Sequence, residues 1–214
     1  MRNLILFTSI VSLYFLLTYL DKHYITTSSK IFDFLSKDYP DEIVQGYIES
    51  QKKWWWVSYI TTFILIGIKI ALVTFCLNFL KLLDLPGLEN IKFTDLMTLV
   101  LTAEFVFIIA GFYKFANFYW IDTDYTLESL QTYYPISLLN YKEYISSEKW
   151  IAYPLQLVNF FELFYWGILA WGIQELSGKK ISFKKSFVLT ALTYGTGLLF
   201  WAGIISFMVL NIQS

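Results

Sequence analysis

Arginine is nearly absent from this chain: Arg2 is the only one, and the other fifteen of the sixteen basic residues are lysine. Bidentate phosphate or carboxylate clamps depend on guanidinium geometry, so that recognition chemistry is disfavoured. Histidine occurs once, at His23, and cysteine once, at Cys76. A multi-histidine zinc site, a Cys-rich metal site and a disulfide framework within the chain are thereby excluded. Charge of either sign is scarce. Charged residues make up 15% of the chain, against about 25% in soluble domains. The net charge is −1, with no basic stripe to neutralise phosphates, which excludes a nucleic-acid partner. There is no P-loop, no Rossmann fingerprint and no H-E-x-x-H, so neither a cofactor nor a catalytic residue is expected.

What is present in excess is apolar surface: 57% hydrophobic residues, 21% aromatic, and a mean hydropathy of +0.53. A water-soluble fold of 214 residues leaves too much of its surface exposed to hide this, which makes lipid the solvent for the remainder. The pattern predicts an all-α, polytopic transmembrane helix bundle, one membrane domain over residues 1–214 with about five spans. The spans are expected at 4–20, 54–83, 94–115, 151–176 and 186–210. The first follows the short n-region Met1-Arg2-Asn3 and ends without an A-x-A-like cleavage site, so it reads as a retained signal-anchor helix. The second opens on Trp54-Trp55-Trp56, which suits the headgroup zone, and ends at Pro86-Gly87. Pro154 is expected in the first turn of the fourth, where its missing N–H is tolerated. Gly195, Gly197 and Gly203 in the fifth suit close helix packing.

Two stretches outside the spans, about 31–53 and 121–150, read as amphipathic pieces at the interface. In the first, Ile43, Val44, Tyr47 and Ile48 share a helical face behind the Pro40-Asp41 start signal. The second carries Leu127, Leu130, Tyr133 and Tyr134, then Ile136, Leu139, Tyr141 and Tyr144. Orientation follows from Gly178-Lys179-Lys180-Ile181-Ser182-Phe183-Lys184-Lys185: four lysines in a short connection predict a cytoplasmic loop. With five spans the N-terminus is then cytoplasmic and the C-terminus periplasmic. Against this, 21–53 carries Lys22, Lys30, Lys37, Lys52 and Lys53 on the opposite side. The abundance of Lys, Ile, Phe and Tyr points to an AT-rich bacterial genome and so to a bacterial inner membrane.

Three spans each carry one ionisable residue near the middle: Lys69, Glu104 and Glu162. A central charge costs about 2.5–3.5 kcal/mol on insertion scales, and such residues usually face the bundle interior or water. Lys69 is therefore expected to pair with Glu104, Glu162 or both, with Asn159, Thr190, Thr193 and Tyr194 near enough to add hydrogen bonds. Two functions fit such an ionic cluster: a structural clasp that fixes helix register, or a site for proton or ion coupling. Asp122-Thr123-Asp124 is a weak D-x-D at the membrane surface, the only support for an enzyme acting on a lipid-linked substrate. Lys81 and Lys114, near span ends, read as snorkelling side chains.

From Asn159 to Asn211 the chain presents a span with Asn159-Phe160-Phe161-Glu162, a short basic loop, then Val188 through Tyr194-Gly195 to Trp201. In this layout it resembles the Yip1-domain group of multi-span membrane proteins. The resemblance implies about five helices, a cytoplasmic N-terminus and a scaffold or trafficking-type component without catalytic residues. The expected function is a non-enzymatic membrane subunit or scaffold, with membrane lipids and other membrane proteins as partners. The alternative is a proton- or ion-coupled transporter.

Overall fold

The computed structural model describes residues 1–140 and 149–213, and these form helices joined by turns, without a β-strand among them. The first helix, α1 (Arg2–Leu20), runs on through a π-helical turn, Asp21–Ile25. Two short helices follow, α2 (Ser28–Leu35) and α3 (Asp41–Lys53). Next come α4 (Val57–Asn78), closed by a 3₁₀ turn at Phe79–Leu83, and α5 (Phe93–Ala116), extended by a π turn at Asn117–Ile121. After the short α6 (Leu127–Thr132) the chain continues as α7 (Lys149–Leu157) and α8 (Phe160–Leu176). The last helical stretch is α9 (Phe183–Thr190), a π turn at Ala191–Gly195, and α10 (Thr196–Gln213). Four continuous helices, Arg2–Ile25, Val57–Leu83, Phe93–Ile121 and Phe183–Asn211, are long and apolar enough to cross a membrane. The expected all-α bundle is what the chain forms.

The fourth expected span, 151–176, departs from the expectation of one continuous helix. It is broken at Val158 and Asn159. Asn159 adopts an extended backbone (φ −140°, ψ 163°), and its side chain accepts from the Glu162 N–H as the cap of α8. An isolated antiparallel bridge to Ser137 holds it there. Apolar composition over the whole segment masked the break, because an asparagine between two apolar runs reads equally as interior or as cap. Pro154, expected in a first turn, lies inside α7, which begins earlier than expected. The 17 residues of α8 cover about 26 Å at 1.5 Å per residue, just under a hydrocarbon core of about 30 Å.

Long helices alternate in direction along the chain, which leaves the neighbours α1 and α5 parallel. Arg2 reaches Thr98 at 3.5 Å, and the Tyr125 hydroxyl donates to the Ile25 carbonyl at 2.9 Å. Ring contacts Phe7–Phe63 and Phe15–Tyr59 set α4 antiparallel to α1. Contacts Phe107–Tyr165 and Tyr113–Phe161 set α8 antiparallel to α5. Trp166 then touches Phe187 and Tyr194 on the returning helix, and Trp201 donates to the Tyr153 hydroxyl, so α10 packs on α7. At one end lie the N-terminus, the turn before α5 and the lysine-rich loop. There Gly87, at φ +84°, sits so close to the Ser177 carbonyl that a Cβ would lie 2.3 Å from its oxygen. At the other end lie α2, α3 and α6, over a small cluster of Ile25, Phe118, Tyr125 and Leu130.

The centre belongs to α5. Leu96, Val100, Leu101, Ala103, Val106 and Ile108 are buried within the main core. The other long helices bury one stripe and leave large apolar side chains outside, among them Leu65, Phe75, Leu199, Phe200 and Phe207. An exposed apolar belt of this extent is costly in water and natural in lipid. Close approach relies on small residues. A Cβ on Gly172 would lie 2.0 Å from Leu99, one on Gly111 2.7 Å from Leu17, and one on Gly197 2.7 Å from the Cys76 sulfur. Gly195 likewise backs onto Trp166, whereas Gly203 faces open space. Two of the three glycines expected at helix contacts are therefore there.

Candidate functional site

Glu104 is the most deeply buried acidic or basic side chain among the described residues, 1% exposed at mid-length of α5. A carboxylate so far from water needs a cation and donors, or it takes up a proton. Lys69 of α4 supplies the cation, its Nζ 2.8 Å from Glu104 Oε1. Tyr14 of α1 donates its hydroxyl to the same oxygen at 2.8 Å. Three helices thus converge on one carboxylate oxygen. Glu104 Oε2 is buried and has no hydrogen-bond partner among the described residues.

Lys69 is less enclosed than its partner, at 37% exposure. Its ammonium sits 3.6 Å above the Phe107 ring and 5.7 Å from the Tyr165 ring. An aromatic face offers a cation partial compensation where no second anion is in reach. Of the two pairings expected for Lys69, the structure makes the one with Glu104.

Glu162 stands in a second group. It lies in the first turn of α8, where a negative charge favours the helix dipole. Its Oε1 accepts from the Tyr194 hydroxyl at 2.6 Å and from the Trp166 indole N–H at 2.9 Å. Tyr194 belongs to the π turn between α9 and α10, so this bond joins α8 to the returning helix. Rings lie between the two groups: Tyr165 packs against Phe107 on one side and Tyr194 on the other, at 4.8 and 5.3 Å between centroids. The Tyr165 hydroxyl, buried, is another polar atom without a partner among the described residues.

Of the supporting residues expected, Tyr194 reaches a carboxylate. Asn159 serves the backbone instead: Oδ1 takes the Glu162 N–H at 2.7 Å, and Nδ2 donates to the Gln156 carbonyl at 2.8 Å. Thr190 and Thr193 donate back along their own helix, to Ser186 and Leu189. Tyr14, Tyr165 and Trp166 were not anticipated. A polar signal existed for Tyr14, since a tyrosine in mid-span needs a partner for its hydroxyl. Yet the chain holds sixteen tyrosines, and periodicity does not choose among them.

Lys114 does not snorkel: its Nζ donates to the Leu130 carbonyl at 2.8 Å and ties α6 to α5. Asp122 and Asp124 are exposed, and among the described residues no three His, Cys, Asp or Glu side chains gather as a metal site. In α3, Val44 is buried while Ile43 and Tyr47 stay exposed. Tyr133 and Tyr134 precede a turn, and burial raises both phenols above their ordinary value, with Glu162 adding to the effect at Tyr134. Tyr141 and Tyr144 lie outside the described residues.

Comparison of the chain with protein-family models, with curated proteins and with solved structures gives no match in any of the three. The chain is an integral membrane protein by its four long apolar helices.

Proposed function

We propose that the chain is a non-enzymatic subunit or scaffold of a larger membrane protein complex, and that its buried ionic groups are clasps that hold helix register. The observation that carries this reading is that both buried carboxylates are already engaged across helices. Glu104 is held by Tyr14 and Lys69, and Glu162 by Tyr194. Polar bonds of this kind, together with small-residue contacts such as Gly172 on Leu99, are a usual glue of membrane bundles. The aromatic, apolar exterior leaves wide faces for lipid and for other membrane proteins. A scaffold role is also what the resemblance to the Yip1-domain group implies. With α8 counted as a crossing between α5 and α9, the bundle has five passes, the N-terminus lies on the cytoplasmic side of a bacterial inner membrane, and the C-terminus on the other.

Two observations favour the second reading, proton-coupled transport. Glu104 Oε2 is buried without a partner among the described residues, and Glu162 sits just past a helix break. Discontinuous helices beside buried charge are common at transport sites. The experiment that separates the two is extraction in mild detergent followed by reconstitution. A stoichiometric complex, and liposomes that pass no protons under a pH gradient, support the clasp reading. Proton flux abolished by Glu104→Gln overturns it.

A further inference from the structure

Where the far end of α1 meets α3 and α4, an open groove of about 510 Å³ is cut into the bundle surface. Its charged member is Lys22, carried on the π turn that ends the first helix. π-Turns inside helices are frequent at functional sites. The Lys22 ammonium donates to the Ser58 hydroxyl and, at 3.5 Å, toward the Trp55 carbonyl. It makes no ion pair with a carboxylate among the described residues. Thr61, Thr62 and Gln51 complete the polar wall, and no aspartate or glutamate lines it.

This donor set selects a ligand. A cation finds no carboxylate here. A single ammonium surrounded by hydroxyl and amide donors suits a phosphate-bearing anion. The depth is also specified: Trp54 lines the groove and belongs to the exposed Trp54-Trp55-Trp56 run, whose indoles suit the headgroup layer. Val57 lines the groove as well, and one and two turns further along the same face of α4 lie Ile60 and Ile64, both half exposed. A polar mouth that continues into an apolar track matches a lipid, whereas free phosphate has no use for the track.

We propose that this groove is a specific site for the phosphate headgroup of an anionic membrane lipid, with Lys22, steadied by the Ser58 hydroxyl, as the charged contact and Thr61 and Thr62 as hydroxyl donors. The test is native mass spectrometry of the full chain, offered equal phosphatidylglycerol and phosphatidylcholine in detergent. Wild type retains phosphatidylglycerol preferentially. Lys22→Gln lowers that preference about fivefold, the factor expected for one lysine contact at a membrane surface, while Lys22→Arg keeps most of it. Thr61→Val, which leaves the Lys22–Ser58 bond intact, lowers it in the same direction, and this arm does not depend on how well Lys22→Gln folds. The proposal is overturned if wild type shows no preference, or if Lys52→Gln with Lys53→Gln removes it while Lys22→Gln does not, because the attraction is then diffuse surface charge. It is equally overturned if inorganic phosphate displaces the lipid at matched concentration, which assigns the site to soluble phosphate.

Discussion

At the scale of single residues, the cost of each buried charge decides what a substitution does. Removing Lys69 leaves the Glu104 carboxylate without its cation in a place nearly closed to solvent. Breaking one side of a buried pair typically costs about 3–5 kcal/mol, whereas replacing both partners with apolar residues is often neutral. Lys69→Met is therefore expected to lower folded yield and thermal stability sharply. Lys69→Met with Glu104→Leu should recover most of the loss; a double variant as unstable as the single one would show that the pair is no clasp. Tyr194→Phe removes one donor from Glu162 and should cost about 1 kcal/mol, read as a lower midpoint of unfolding in detergent. The ionisable members of the site were legible in the sequence because charge in an apolar run is conspicuous. Their aromatic partners were not. Tyr14, Tyr165 and Trp166 sit among many similar rings, and only the packing of α1 and α8 against α5, and of α9 against α8, singles them out.

At the scale of elements, the break between α7 and α8 is held by the backbone bridge to Ser137 and by the side chain of Asn159. Asn159 accepts from the Glu162 N–H and so closes the start of α8. Asn159→Ala should cost about 1 kcal/mol, while Asn159→Asp keeps an acceptor and should stay close to wild type. Equal midpoints for Ala and Asp would remove the cap from the account. Close packing gives a second test. Gly172 faces Leu99 with no room for a methyl, so Gly172→Ala should destabilise the bundle, and Gly172→Ala with Leu99→Ala should be less destabilised than the sum of the two, as contacting sites are. Gly203→Ala, in open space, should be neutral. The existence of the long helices was legible from hydropathy alone, because lipid-facing helices are apolar nearly all round. The same uniformity hid the break before α8 and the π turn at Ala191–Gly195 within the fifth span, since an apolar run carries no periodicity to interrupt.

At the scale of the whole molecule, the alternation of the helices puts the lysine-rich loop and the turn before α5 at one end, and α3, α6 and the Asp122–Asp124 stretch at the other. The two ends are unequal in make-up. One is short loops with Lys179, Lys180, Lys184 and Lys185; the other holds small helices, an aromatic cluster and Lys22, Lys52 and Lys53 of its own. Positive charge in short loops sets orientation, and the connection between α8 and α9 is far shorter than the stretch between α1 and α4. The short loop should therefore prevail and face the cytoplasm. Two exposed positions report on this, Lys180 at one end and Asp124 at the other. In a Cys76→Ala background, Asp124→Cys should react with an impermeant maleimide added to intact spheroplasts, and Lys180→Cys should react only after the membrane is opened. The reverse pattern would invert the bundle. Labelling of both positions from the same side would be worse for the account, because it would mean that α8, in spite of running antiparallel between α5 and α9, does not carry the chain across the bilayer.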